Sequence, residues 1–328
     1  MILRHFAAYA ALLGALSPLA AHADAPLLTP GKPVTVPGGK AGFDFMTMDA
    51  KDHLLLASHP GKGTFVVYNL QTGNLQQLDT DGKVNGEAVD RADNKLFVGG
   101  GNMKVVVFDL TTLKKTDEIA LTGPADCLVF DSTNDTLYAD HDDGKEIWAI
   151  NGATDKITTS VPIADAPEVM IYDKKSDRLF QNIKPLNEIQ VVDPSTNAVV
   201  ATWPTAPMTS PHGMAIDRKT NRLFDAGEGQ VDLIDMTSGK VLSTVAIAPG
   251  YVDQIAYDRS NGRLYCASKV GDISVVTETP DGKLTLLGMV PAPKGVHTLA
   301  IDPETHTVWA STYDDAGSYL QPYTLPTP

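Results

Sequence analysis

The chain has 328 residues, 43% of them hydrophobic, and carries 40 acidic against 26 basic side chains, a formal net charge of −14 at neutral pH. A field of that sign repels phosphate backbones and anionic membrane surfaces, which argues against nucleic acid and lipid as partners and leaves cations and small molecules open. Two cysteines are too few for a disulfide scaffold, and the length admits one large β-domain or two ordinary domains.

Residues 1–23 read as a cleaved signal peptide. Arg4 is the only early formal charge, an apolar run extends from Phe6 to Leu19, and Ala21-His22-Ala23 supplies small residues around a cleavage point before Asp24. The run is interrupted by Pro18 and is shorter than the roughly 20 residues that span a bilayer. No cysteine lies near the cut, so no lipid anchor is expected there. The expectation is a periplasmic or secreted protein whose mature part, residues 24–328, is a single domain without a membrane anchor.

A short strand is expected at Lys32 to Val36. Beyond it an aspartate recurs at Asp49, Asp90, Asp131, Asp173, Asp217, Asp258 and Asp302, with separations of 41, 41, 42, 44, 41 and 44 residues. Six residues after each comes Leu55, Leu96, Leu137, Leu179, Leu223, Leu264 or Val308. One further on comes Leu56, Phe97, Tyr138, Phe180, Phe224, Tyr265 or Trp309. Self-similarity at this period marks a repeat architecture.

Each unit opens on an apolar run such as Met214-Ala215-Ile216, turns at the aspartate and polar residues, and resumes at Leu223-Phe224. Asp and Asn stabilise such turns and tolerate left-handed backbone, so this is a hairpin. A third strand rich in β-branched residues follows, as in Lys104 to Asp109, Glu188 to Asp193 and Val231 to Asp235. Turn residues recur at Thr72-Gly73, Thr196-Asn197 and Ser238-Gly239, and a fourth strand closes the unit, as in Val241 to Ile247. Gly99-Gly100-Gly101 reads as the turn between second and third strands.

The expected fold is therefore all-β: a seven-bladed β-propeller of four-stranded antiparallel blades. The last repeat supplies three strands, and the N-terminal strand near Val36 completes it and closes the ring. Cys127 and Cys266 fall at different positions of blades that are not neighbours, so both are expected reduced and buried. Trp148, Trp203 and Trp309 occupy apolar strand positions and are expected in the core, whereas His53 and His306 fall in turns.

Units such as Arg222 to Ala226 with Val231 to Asp235 and Thr237 to Val241 resemble the YVTN-repeat propellers of secreted bacterial proteins. The resemblance runs from about residue 32 to residue 325, although the tetrapeptide that names that family is nowhere intact. It implies a propeller whose ligands gather at one mouth of the central channel, without implying a single activity.

No G-x-S-x-G, G-x-x-x-x-G-K-[ST], H-E-x-x-H, C-x-x-C or C-x-x-C-H signature is present. The repeat register offers something else. Five residues before each marker aspartate stand Asp44, Asn85, Asp126, Glu168, His212, Asp253 and His297, all polar. They fall where the innermost strand begins, so they are expected to ring the channel mouth.

Carboxylates with imidazoles make a divalent-metal donor set, with Ca, Zn, Cu, Mn and Ni not distinguished by the residues alone. Blade order places Glu168, His212, Asp253, His297 and Asp44 side by side as the preferred ligands, with Asn85, Asp126, Glu87, His59 and His141 as secondary candidates. Asp142, Asp143, Tyr313, Asp314 and Asp315 occupy loops on the same face.

Three functions fit. The first is a binding or accessory protein holding a metal ion or small ligand at the ring, or offering its disc to a partner protein. The second is a metal-dependent lactonase- or lyase-type enzyme with Glu168 or Asp253 as base. The third is a tetrapyrrole-binding propeller with His212, His297 or His59 as axial ligand.

Overall fold

The computed structural model describes residues 26–326, so the expected signal peptide lies outside the described residues. Seven antiparallel sheets follow one another along the chain. Blade 1 comprises Met46–Asp49, Leu54–His59, Thr64–Asn69 and Leu75–Asp79, and each of blades 2 to 6 repeats this four-strand meander. Blade 7 takes Leu299–Asp302, Thr307–Tyr313 and Ser318–Thr324 from the C-terminal end, and its outer edge is completed from the other terminus. Val34–Val36 pairs antiparallel with Leu320 to Ser318, and Thr29–Pro30 continues along the same strand against Thr324 and Tyr323. The closing strand expected near Val36 is thus two short segments in tandem.

The repeated aspartate has a local cause. Its carboxylate accepts backbone N–H bonds two or three residues ahead: Asp90 from Ala92, Asp131 from Thr133, Asp217 from Lys219, Asp258 from Ser260 and Asp302 from Glu304. Four residues after each marker the backbone is left-handed, at His53, Asn94, Asp135, Asp177, Asn221, Gly262 and His306, with φ between 51° and 67°. Asn, Asp, Gly and His are the residues that tolerate this region best, which accounts for two of the histidines as turn residues.

Aspartates also tie blades together. Arg91 pairs with Asp49, Arg218 Nε donates to Asp173 at 3.0 Å, and His306 Nδ1 lies 2.9 Å from Asp258. In each case the basic group belongs to the blade after that of the aspartate.

Alternation along the second strand explains the paired apolar positions. Successive side chains point to opposite sheet faces, and each face meets a neighbouring blade. Leu96 packs with blade 1 and Phe97 with blade 3; Leu137 packs with blade 2 and Tyr138 with blade 4. The rule holds around the ring to Val308 against blade 6 and Trp309 against blade 1. Second strands are consequently apolar on both faces, while fourth strands such as Val241–Ala246 alternate half-buried with exposed positions. Trp148, Trp203 and Trp309 are buried as expected, as are the free Cys127 and Cys266.

The glycine run departs from expectation. Gly99 and Gly100 complete the second strand Lys95–Gly100, and only Gly101 enters the turn. A Cβ at Gly100 would overlap the Lys83 carbonyl, and one at Gly99 would lie 2.7 Å from Leu128 Cδ1. Close approach between strands, not turn freedom, demands glycine there.

Candidate functional site

The ring residues are set in place by backbone bonds to the end of the adjacent second strand. The N–H groups of Asp44, Asn85 and His212 donate to the carbonyls of Ser58, Gly99 and Ala226. Neighbouring blades add further ties: the N–H groups of Asp253 and Gln254 both donate to the His297 carbonyl, and Thr298 Oγ1 donates to the Asp44 carbonyl. The mouth is a backbone-braced rim.

Two histidine–carboxylate pairs dominate it. His212 Nε2 lies 3.3 Å from Glu168 Oε2, and His297 Nε2 lies 3.2 Å from Asp253 Oδ2. In both, Nδ1 contacts the carbonyl two residues earlier, Ser210 at 2.8 Å and Gly295 at 2.6 Å. A carbonyl only accepts, so Nδ1 carries a proton; Nε2 then presents a lone pair to the carboxylate when the ring is neutral and donates to it when the ring is protonated. Burial holds His297 below its usual pKa, against the attraction of Asp253, and so favours that neutral ring. Nε2 of His212 is buried without a hydrogen-bond partner.

Asp44 joins the second pair: donor atoms of Asp44, Asp253 and His297 all lie within 4.8 Å of one another. Burial, then the charge of Asp253, pushes the Asp44 carboxyl up to about 6. Glu168 behaves differently. Burial opposes its ionisation, but the His212 contact and the Lys184 ammonium at 2.7 Å outweigh burial and hold it below the usual range.

Asp126 faces the same space, and burial together with Asp140, Asp44, Asp142 and Glu168 holds it well above its ordinary value. Glu87 is buried with neither carboxylate oxygen hydrogen-bonded, and burial, reinforced by Asp44, pushes it up to about 8. The structure divides the preferred arc into a pair, Glu168 with His212, and a triad, Asp44 with Asp253 and His297, with Asp126 and Glu87 near enough to feel the charge of Asp44.

Other candidates are engaged elsewhere. Asn85 donates through Nδ2 to the Ala125 carbonyl at 3.2 Å and links two blades. His59 is fully buried, stacks on Phe43 with ring centroids 4.4 Å apart, and contacts Ser318 Oγ through Nε2 at 3.2 Å. Since Ser318 Oγ also accepts from the Ala41 N–H, His59 braces the ring closure. His141 stacks on Trp148 with centroids 4.8 Å apart and lies 3.4 Å from Glu146.

The loops contribute residues that the repeat register does not mark. Tyr251 meets His212 edge-on with centroids 4.3 Å apart, and Lys269 Nζ stands 3.7 Å above the Tyr251 ring centroid and 3.9 Å from Asp253. Lys184, on a single 3₁₀ turn in blade 4, lies 5.4 Å from the same ring. Nothing in the repeat marks these three: the loop that carries Lys184, residues 184–187, is as long as residues 60–63 of blade 1.

Below the mouth the channel is crossed by side chains. Gln254 of blade 6 reaches blade 1, where Oε1 accepts the Met46 N–H at 2.8 Å. Phe45 of blade 1 packs into the core between blades 3 and 4. Ligands therefore meet the ring from the mouth side.

No family model matches the chain, and no curated protein sequence matches it. Solved structures do. A chain of the Mitotic Checkpoint Complex aligns with TM-score 0.80 and 16% identity over 99% of each chain. A chain of Kuenenia stuttgartiensis hydrazine synthase aligns with TM-score 0.75 and 14% identity, over 87% of this chain and 96% of that one. The WD40 repeats of RRP9 align with TM-score 0.76 and 10% identity, over 91% of this chain and all of theirs. Identities this low speak to fold alone, and on that ground the chain is a seven-bladed β-propeller.

Proposed function

We propose that this propeller is a binding or accessory protein that carries a divalent metal ion at the channel mouth, with His297 Nε2 and the carboxylates of Asp44 and Asp253 as ligands. The observation that carries this reading is the facing of two acceptors, His297 Nε2 and Asp253 Oδ2, at 3.2 Å beside a third, Asp44. Two ligand atoms bonded to one ion at about 2.0–2.2 Å sit roughly 3.0–3.4 Å apart, so the separation suits a shared cation. The Nδ1 bond to Gly295 is the outer contact that metal-bound imidazoles generally have. One imidazole with two carboxylates favours zinc, manganese, nickel or iron over calcium.

Three protein ligands leave coordination positions for water or a bound molecule. That openness, with Glu168 held ionised nearby by His212 and Lys184, favours a metal-dependent hydrolase or lyase as the second reading. An axial role for His59 is not advanced, because its ring is enclosed by Phe43 and Ser318. The layout of residues 1–23 supports export, and the N-terminal mass of the mature protein checks it.

The test is metal analysis of protein purified without chelator or histidine tag, followed by calorimetric titration of the metal-free protein with Mn²⁺ and Zn²⁺. One bound ion per chain, lost in His297→Ala, is expected. A silent titration with both ions would remove the metal reading. Hydrolysis of a lactone or ester panel, abolished by Glu168→Gln in folded protein, would move the assignment to the enzyme.

A further inference from the structure

The mouth that gathers so many carboxylates is also ringed by lysines. Lys269 stands over Tyr251 and beside Asp253, and Lys184 pairs with Glu168 within reach of the same Tyr251 ring. In a chain of net charge −14, two lysines meeting over one aromatic ring are a local concentration of cations that solubility does not require. The charges sort into groups. Glu168 is balanced by Lys184 at 2.7 Å, whereas Asp44 and Asp253 have Lys269 no nearer than 3.9 Å from the latter.

A dication at Asp44, Asp253 and His297 would neutralise the two carboxylates. Lys269, the ammonium beside Asp253, would then be left without a matching anion, and the field around it would become less negative. The scaffold around Lys269 is already fixed. Its N–H donates to the Tyr251 carbonyl at 3.0 Å, and its carbonyl accepts the N–H of Gly295, whose own carbonyl holds His297 Nδ1. One continuous run of hydrogen bonds thus joins the lysine, the aromatic ring and the imidazole.

From this arrangement, and resting on the metal reading above, we infer that the mouth is a metal-dependent anion site that takes a small carboxylate, with one carboxylate oxygen in an open metal position and Lys269 as its counter-cation beside Tyr251. Binding is ordered: the metal enters a negative mouth, and the carboxylate enters only the loaded one. A carboxylate suits the site because one ammonium beside one metal ion matches its two oxygens.

The experiment is calorimetry in two stages on the full mature chain. Mn²⁺ is titrated first, which tests the metal reading by itself; succinate is then titrated into metal-free and Mn²⁺-loaded protein, with inorganic phosphate as the comparison anion. Succinate is expected to bind only the loaded protein. Lys269→Gln should weaken succinate about fivefold while Mn²⁺ binding is kept or tightened, since a positive charge near Asp253 is removed. Mn²⁺ binding with no succinate heat, equal succinate binding without metal, an unchanged Lys269→Gln, or phosphate binding as tightly as succinate would each overturn the carboxylate assignment and leave the metal reading standing. Absence of Mn²⁺ binding would overturn both.

Discussion

His212 and Glu168 form a near copy of the His297 and Asp253 pair two blades on, with Nε2 to carboxylate separations of 3.3 and 3.2 Å and the same carbonyl bond on Nδ1. What differs is the counter-charge. The first pair has Lys184 against its carboxylate, while the second has another carboxylate, Asp44, close by. A built-in ammonium already meets the charge of Glu168, so an external cation belongs with Asp253.

The asymmetry yields a first expectation. Asp44→Asn should weaken Mn²⁺ binding about 100-fold, because one anionic ligand is lost, whereas Glu168→Gln should change it by no more than about threefold. Calorimetry on the three proteins under identical buffer checks this, and equal losses in both variants would contradict it.

Glu87 sets a pH dependence of stability. The unfolded chain releases this proton near the ordinary value of 4.5, and the folded protein keeps it until about 8. The folded state therefore binds more protons across that window, and stability falls as pH rises from 4.5 to 8. Glu87→Gln should flatten the decline, recovering on the order of 5 kcal/mol at pH 9 relative to its effect at pH 4. Denaturant unfolding of both proteins at the two pH values gives the comparison.

Gly86 marks a place where two inner strands nearly touch. A Cβ there would overlap the Asp126 carbonyl oxygen and lie 3.0 Å from the Leu128 nitrogen, and backbone cannot step aside as a side chain can. Gly86→Ala should cost about 3 kcal/mol, against about 1–2 kcal/mol for Gly73→Ala, where the space is open and only the left-handed backbone opposes a side chain. Melting curves of the two variants measure the contrast.

His59 separates closure from ligand binding. His59→Ala strips Phe43 of its stacked partner and leaves Ser318 one contact short, for a loss of about 2–3 kcal/mol. Mn²⁺ affinity should stay within about twofold of wild type, because the metal ligands lie on other side chains. Loss of metal by the folded variant would return His59 to the ligand set.

Much of this was legible in the sequence. The marker aspartates, the left-handed residue four positions on and the paired apolar residues at six and seven follow from turn chemistry and strand alternation, which act over a few residues and so leave a local imprint at every repeat. Blade number, the closing strand near Val36 and the polar ring register all follow from counting along that imprint. The glycine run reads as a turn in sequence because its cause, the Lys83 carbonyl in the loop before Glu87–Asp90 and the Leu128 side chain in the next blade, lies in other segments of the chain.

The chain by itself thus determined a backbone: seven similar sheets, each presenting a polar residue at the same height on the axis. Tertiary structure decided which of those residues meet. Convergence of Asp44 with Asp253 and His297 joins blade 1 to blades 6 and 7, and Gln254 reaches the Met46 backbone across 208 residues of sequence. Tyr251, Lys184 and Lys269 arrive from loops outside the repeat register. Ring closure brings these groups to within a few ångströms, and charge, desolvation and ligand geometry act at that range, which no local periodicity encodes.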